Sequence, residues 1–513
     1  MSLRRLSLLL LPTCAMGLGC SEPEPTVSFE RPAENPECPA SSAVLVKADT
    51  RFHSGASVTA IPQDLSGRDL ELLILQGSGF ERRTAVPVSG GSVCFRDVPE
   101  GADYYLRSDT TYYLGQTRRF NLSVNRNGRP DTVTSAATQT PVRLDLTGLQ
   151  PWRADAPPGA GSRLQVVSGE VALTANLAFP TVAPMAGATQ AQGLDALASS
   201  LDGRLPILEG DKGDRLYVHQ LDMVEDGRLP GGAPLQYRTV VGSLHAPAGS
   251  FTPDGDAALV LSGALQPVRQ ASFSPQWALS EFTRWRAAVN PDAEARVARF
   301  DVLPVSFGLT AGRVGEQGEL FTLLVPGGED GDIARRFTYG NPYPGTWGLV
   351  GSASYTFVAS TPVVVGNQTY RPSGTVLVMN RLSTLTSDTI VPGITPPRLL
   401  RIDGADAATV RAVTSTQPVV SWRDPFSGMV GSYQVEFIKL GAEATDSPTV
   451  SFYVTSDRLR VSPPPGALEA GSTYYVRVTA DSSPFTPWQA PETTADILPI
   501  FKAATFSAAF TTP

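Results

Sequence analysis

The chain has 513 residues with 42% hydrophobic and 18% charged side chains, too long for one ordinary core and too apolar for disorder, so about three domains are expected. Its 47 glycines and 44 prolines follow no fixed period, which makes turns frequent and long helices few and predicts an all-β protein of several β-sandwich domains in tandem. A net charge of −8 provides no electrostatic footprint for phosphate backbones, so nucleic acid is not expected as a partner.

The N-terminus opens with Ser2–Arg5, a short basic stretch. Leu6–Leu11 follow as an apolar run, and small residues then lead to Cys20. That layout is a secretion signal: the apolar run is far shorter than the roughly 20 residues a membrane span needs. The run Gly17-Leu18-Gly19-Cys20 resembles the lipobox of bacterial lipoproteins. The resemblance implies residues 1–19 as signal peptide and acylation of Cys20. It also implies attachment to the membrane through that N-terminus and, because Ser21 follows the cysteine, an outer-membrane location. Cleavage there discards Cys14 and leaves three cysteines, of which Cys38 and Cys94 are free to pair in an oxidising exterior. Cleavage by ordinary signal peptidase, with Cys20 free or removed, is the alternative. No other segment is apolar enough to span a bilayer as a helix.

Residues 20–42 are rich in Pro, Glu and Ser and read as an extended tether. From 43 to 149 short alternating segments read as strands. Alternation places Val93 and Phe95 on a buried face and Cys94 on the other, within reach of a partner from the tether. The stretch Val93-Cys94-Phe95-Arg96-Asp97-Val98-Pro99-Glu100-Gly101, with Tyr104-Tyr105-Leu106 after it, resembles the transthyretin-like domain called carboxypeptidase-regulatory-like. This resemblance implies a non-catalytic sandwich.

Residues 150–392 hold further strand-like runs and one amphipathic helix. Ser274 is its expected N-cap and Pro275 its first residue, with Phe282, Trp285 and Val289 on one face. A sandwich or open barrel with an inserted helix is expected here. In residues 394–513, Pro418-Val419-Val420-Ser421-Trp422 and Leu468-Glu469-Ala470-Gly471-Ser472-Thr473-Tyr474-Tyr475-Val476 resemble the fibronectin type III domain. The resemblance implies that Trp422 is the core indole and Tyr474 the corner tyrosine bonded back to backbone, both structural.

Signals for chemistry are sparse. The only histidines are His53, His219 and His245, and no zinc-hydrolase, serine-hydrolase or nucleotide-binding motif is present. No catalytic residue and no cofactor is therefore expected. Two acidic loops, Asp254-Gly255-Asp256 and Gly328-Glu329-Asp330-Gly331-Asp332, could supply some calcium oxygens but equally read as hydrophilic turns. Tyr339, Tyr343 and Trp347, on a Pro/Gly-stiffened segment, are the one candidate sugar-stacking surface, with packing under the loop as the alternative reading. The sequence thus points to a lipid-anchored envelope protein that binds a protein or glycan without catalysis. A carbohydrate-active enzyme with its catalytic unit in 150–392 is the alternative.

Overall fold

The computed structural model describes residues 35–55, 57–77, 79–155, 160–201, 203–254, 256–310, 312–441, 449–482 and 496–513. Cys20 and the signal segment lie outside the described residues. The first domain packs two four-stranded sheets face to face. One runs Val86–Pro87, Val93–Phe95, Val44–Lys47, Arg119–Asn121; the other runs Gly79–Thr84, Leu70–Gln76, Tyr104–Ser108, Thr111–Gly115. Alternate residues interdigitate between them, including Val44, Val46, Leu72, Ile74, Phe95, Tyr104, Leu106 and Phe120. Cys94 points the other way, where the segment ending the tether covers it: Cys38 and Cys94 are disulfide-bonded, 5.8 Å apart at Cα. Ala43, Leu45 and Val88 complete a small apolar cluster over the bond.

The next element corrects the domain boundary at 149. Gln139–Thr147 belongs to a closed barrel, because its alternating Val142, Leu144 and Leu146 are buried there. The barrel runs Gln139–Thr147, Gln190–Ser200, Leu173–Ala178, Arg163–Ser168, Arg215–Arg228, Pro234–Pro247 and Gln266–Pro267, the last continuing directly from Leu259–Ala264. Leu259–Ala264 runs parallel to Gln139–Thr147, so the bent segment Leu259–Pro267 joins the two ends of the ring. Leucine, valine and alanine side chains such as Leu164, Val166, Ala196, Ala198, Val218 and Leu261 fill its interior.

The hairpin Arg215–Pro247 is longer than the barrel needs. Its far half pairs Tyr237–Thr239 with Phe321–Leu323 and starts a second sheet through Phe321–Pro326, Ala293–Val305, Gly348–Ala359 and Ser373–Arg381. Phe273, Trp277, Phe282, Phe300, Phe337, Tyr355 and Phe357 cluster in the core beside this sheet. The helical segment begins later than expected, since Gln276–Trp277 pair with Ile333–Ala334 and Thr389–Ile390 as strand. It comprises two short turns, Leu279–Thr283 and Arg286–Val289, broken at Trp285. The break turns Trp285 off the buried face. Phe282 and Val289 are core, whereas Trp285 is half-buried under the Arg284 guanidinium, 5.0 Å from its ring, and beside Phe426.

The last domain is a fibronectin type III-like sandwich. Ala405–Asp406, Arg398–Ile402, Val420–Arg423 and Arg460–Val461 make one sheet; Val450–Thr455, Ser432–Leu440, Thr473–Asp481 and Ile500–Phe506 make the other. Trp422 is buried edge-on to Tyr433 at 5.2 Å. Tyr474 is fully buried, and its hydroxyl accepts the Glu469 N–H at 2.9 Å.

Although the domains follow one another in sequence, backbone ladders join them sideways. Ile500–Phe506 pairs with Thr473–Asp481 on one side and with Val376–Met379 of the middle sheet on the other. Thr111–Leu114 of the first domain runs parallel to Ser451–Val454 of the last. Tyr112 stacks on Phe452 at 4.9 Å and Tyr113 on Tyr453 at 5.5 Å. The Tyr105 hydroxyl donates to the Ser462 carbonyl at 3.0 Å, and Asp103 holds Arg458. The described residues accordingly form one compact unit. Trp422→Ala should cost about 3 to 5 kcal/mol in urea unfolding, as for a large aromatic removed from a close-packed core; a loss under about 1 kcal/mol would contradict the packing described.

Candidate functional site

The stretch expected to offer stacking faces is turned inward. Tyr339 is 4% exposed and lies edge-on to Phe273; Tyr343 is 7% exposed. Trp347 is half-buried and stacks on Tyr343 with centroids 4.0 Å apart, so the two rings cover each other. Tyr217 meets both rings edge-on and stacks on His245 at 4.2 Å. Beneath lies His219, fully buried, with Nδ1 3.0 Å from the Ser243 hydroxyl and Nε2 2.9 Å from the Tyr343 hydroxyl. Alternation along Arg215–Arg228 sends Leu216 and Val218 into the barrel and Tyr217 and His219 outward. The cluster therefore locks the 341–347 loop onto the outer barrel wall. Both ring nitrogens are thus engaged by hydroxyl groups, and the ring is sealed from solvent, an arrangement unlike the carboxylate-oriented histidine of a Ser-His-Asp triad. Burial holds the His219 imidazole down at about 3.

The acidic loops do not converge on one point. Glu329 Oε1 accepts the Ala233 N–H at 3.3 Å, Asp330 Oδ1 accepts the Tyr355 hydroxyl at 3.5 Å, and Asp332 Oδ1 accepts both the N–H and the hydroxyl of Ser280. Asp254 Oδ1 turns back on the N–H groups of Asp256 and Ala257. Among the described residues, no group of three or more His, Cys, Asp or Glu is placed to hold a metal ion.

A cleft of about 730 Å³ lies where the first domain, the barrel and the middle sheet meet. Four stretches of chain build it. A ribbon extending from the first domain, Asp49–Ser54 paired with Val124–Asn127, brings Phe52, Asn125, Arg126 and Asn127. The barrel rim brings Thr134 and Arg204; the loop before Phe321 brings Arg313 and Glu316; the approach to the last long strand brings Asp496. Two glycines permit these close approaches. Gly128, at φ +92°, passes so near the Glu170 carbonyl that a Cβ would lie 2.3 Å from it; Gly312, at φ +78°, sits against the Asp496 carbonyl, 1.8 Å from an added Cβ.

A polar chain crosses the cleft. Arg313 Nη1 donates to Glu316 Oε2 at 3.0 Å, and its Nε lies 3.6 Å from Asp496 Oδ1. Asn125 Nδ2 donates to Asp496 Oδ2 at 2.9 Å, which orients the amide so that its Oδ1 accepts from His53 Nε2 at 3.0 Å. Burial pushes both carboxyls upward from their ordinary values, opposed by Asn125 and Arg313 at Asp496 and by Arg313 at Glu316. Sequence reasoning missed this site because its members lie hundreds of residues apart in no motif. It missed the His219 cluster too, although Tyr217-x-His219 and Ser243-x-His245 sit at strand spacing on two arms of one hairpin.

No protein-family model and no curated protein matches this chain. Among solved structures it is similar to the FN1-FN3 domains of chicken CNTN1, at 9% identity over 69% of this chain and 93% of that one, with a TM-score of 0.14. It is also similar to the Streptococcal ancillary pilin, at 11% identity over 64% of this chain and 95% of that one, with a TM-score of 0.11. At such scores the sandwich assignments stand on the strand pairing itself.

The buried imidazole sets an acid limit on stability. An unfolded histidine takes up its proton near pH 6.5, whereas His219 does so only near 3, so the unfolded state binds more protons in between. The stability from neutral His219 is complete above about pH 6.5 and is lost as pH falls toward 3, by roughly 4 to 5 kcal/mol in all. Urea titrations at pH 7 and pH 4 should show His219→Phe losing less stability on acidification than the wild type. Equal losses would place the imidazole in contact with water.

Proposed function

We propose that the chain is an exported envelope protein, anchored by lipid on Cys20 and acting as a non-catalytic binding scaffold. What supports this reading is the state of its cysteines. The Cys38–Cys94 bond suits an oxidising compartment and accounts for both cysteines of the first domain. The sequence has two others, Cys14 and Cys20. Signal cleavage before Cys20 removes Cys14 and leaves Cys20 as the odd thiol, at the place where the lipobox-like run puts the acylated residue. Several acyl chains, at about 0.8 kcal/mol per buried methylene, make such attachment effectively permanent. The residue after the cysteine, Ser21, favours the outer membrane. The Pro/Glu-rich sequence that follows suits a tether between anchor and folded body. The first domain, by its resemblance to regulatory-like sandwiches, serves as a non-catalytic module beside the fibronectin-like one.

The competing reading, a glycoside hydrolase, draws on one feature: Glu316 and Asp496 face a common cleft, both with carboxyls pushed up by burial. Hydrolysis needs one carboxyl ready to give a proton to the glycosidic oxygen and a second to act across the sugar ring. Here one guanidinium engages both, which favours holding a ligand over cleaving it. Asp496 also lies outside residues 150–392, where a catalytic unit was expected.

Growth of the producing cells with an alkyne-tagged palmitate should label the wild-type chain, and Cys20→Ala should abolish the label while leaving the disulfide formed. Label retained in Cys20→Ala would rule out attachment at this residue.

A further inference from the structure

We propose that the cleft between the first domain, the barrel and the middle sheet binds an acidic oligosaccharide, a glycan whose sugars carry carboxylates. The first argument is unspent positive charge. Arg126 and Arg204 line the cleft and are exposed, and among the described residues neither guanidinium has an ion-pair or hydrogen-bond partner. With Arg313 they outnumber Glu316 and Asp496, so the cleft is locally positive in a chain whose net charge is −8. Guanidinium forks match the planar, two-oxygen geometry of a carboxylate.

The second argument concerns what lies beside that charge. Glu316 and Asp496 oppose a phosphate dianion more strongly than a carboxylate, and carboxylate oxygens accept hydrogen bonds from hydroxyl groups, of which a sugar carries several and a phosphate dianion at most one. Thr134 and Asn127 add neutral hydrogen-bonding groups, and Phe52 adds an aromatic ring to the wall. A ligand that satisfies both sets carries one negative charge per unit, several hydroxyls and a ring with an apolar face: a sugar acid. The volume, about 730 Å³, falls within the range of roughly 300 to 1,000 Å³ typical of small-ligand sites. The fixed chain His53–Asn125–Asp496–Arg313–Glu316 preorganises the floor, so little ordering remains to oppose binding.

This assignment rests on reading the chain as a binding protein but is independent of the acyl group, so the labelling experiment and the following one fail separately. The full mature chain, purified in mild detergent, is titrated calorimetrically with trigalacturonate, with galactotriose as neutral control and inorganic phosphate as free-anion control. Trigalacturonate should bind, with affinity falling as salt rises, and both controls should bind at least about ten-fold more weakly, in line with loss of a charged hydrogen bond. The double variant Arg126→Ala/Arg204→Ala should lose about ten-fold or more for trigalacturonate at an unchanged melting temperature. Asn127→Ala, which leaves the charge in place, should lose less. Absence of trigalacturonate binding, equal binding of galactotriose or phosphate, or full affinity in the double arginine variant would each overturn the proposal. Cleavage of the trisaccharide during titration would support the ligand class and overturn the non-catalytic reading.

Discussion

The strand Ile500–Phe506 is the constraint on which the rest of the molecule depends. It supplies one edge of the fibronectin-like sheet and at the same time caps the open edge of the middle sheet, pairing with Thr473–Asp481 and Val376–Met379. An exposed sheet edge is a row of unpaired N–H and C=O groups and invites association with other chains. Here two domains cover each other's edges, and the same device is repeated where Thr111–Leu114 covers Ser451–Val454. Side chains reinforce the seam: Asn290 Nδ2 donates to the Phe506 carbonyl at 2.9 Å, and the Thr505 hydroxyl donates to the Val289 carbonyl at 2.8 Å. Apolar packing is continuous across it, since Val289, Phe357, Val376 and Phe506 share one cluster with Trp422 and Tyr474.

This lateral joining fixes the geometry of the cleft. Asp496 reaches it four residues before the capping strand begins, and the ribbon with Asn125 reaches it from a domain that the Thr111–Leu114 ladder holds against the last one. If the domains moved independently, Arg313 could not engage Glu316 and Asp496 together, nor could Asn125 reach Asp496. Rigidity of this kind leaves little ordering to oppose the binding of a ligand in the cleft.

Much of the local structure is legible in the sequence. Alternation marks Val142, Leu144 and Leu146, though it does not say that their strand belongs to the barrel. Val93-x-Phe95 places Cys94 correctly on the face opposite the core, and cysteine arithmetic alone pairs it with Cys38. The spacing of Leu468, Gly471 and Tyr474 marks a corner whose hydroxyl does reach back to backbone at Glu469. Pairing between domains is not legible, because backbone ladders need alternation and nothing more, and alternation does not name its partner. Trp285 misleads for a related reason. Helical spacing places it with Phe282 and Val289, but Gln276–Trp277 are drawn into a sheet by distant strands, and the shortened helix breaks at Trp285 itself. Tyr343 and Trp347 read equally well as platform or as packing; what decides is Tyr217 and His219, contributed by a hairpin more than a hundred residues earlier.

The central claim, that cross-domain ladders make these domains one cooperative body, is tested most directly by hydrogen–deuterium exchange of the intact chain across a denaturant series. The account predicts that amides in Ile500–Phe506, Val376–Met379, Thr111–Leu114 and Val450–Thr455 are protected to the same free energy and become exchangeable together in one global transition. Opening of the fibronectin-like domain at a distinctly lower denaturant concentration, with the middle sheet still protected, would contradict it.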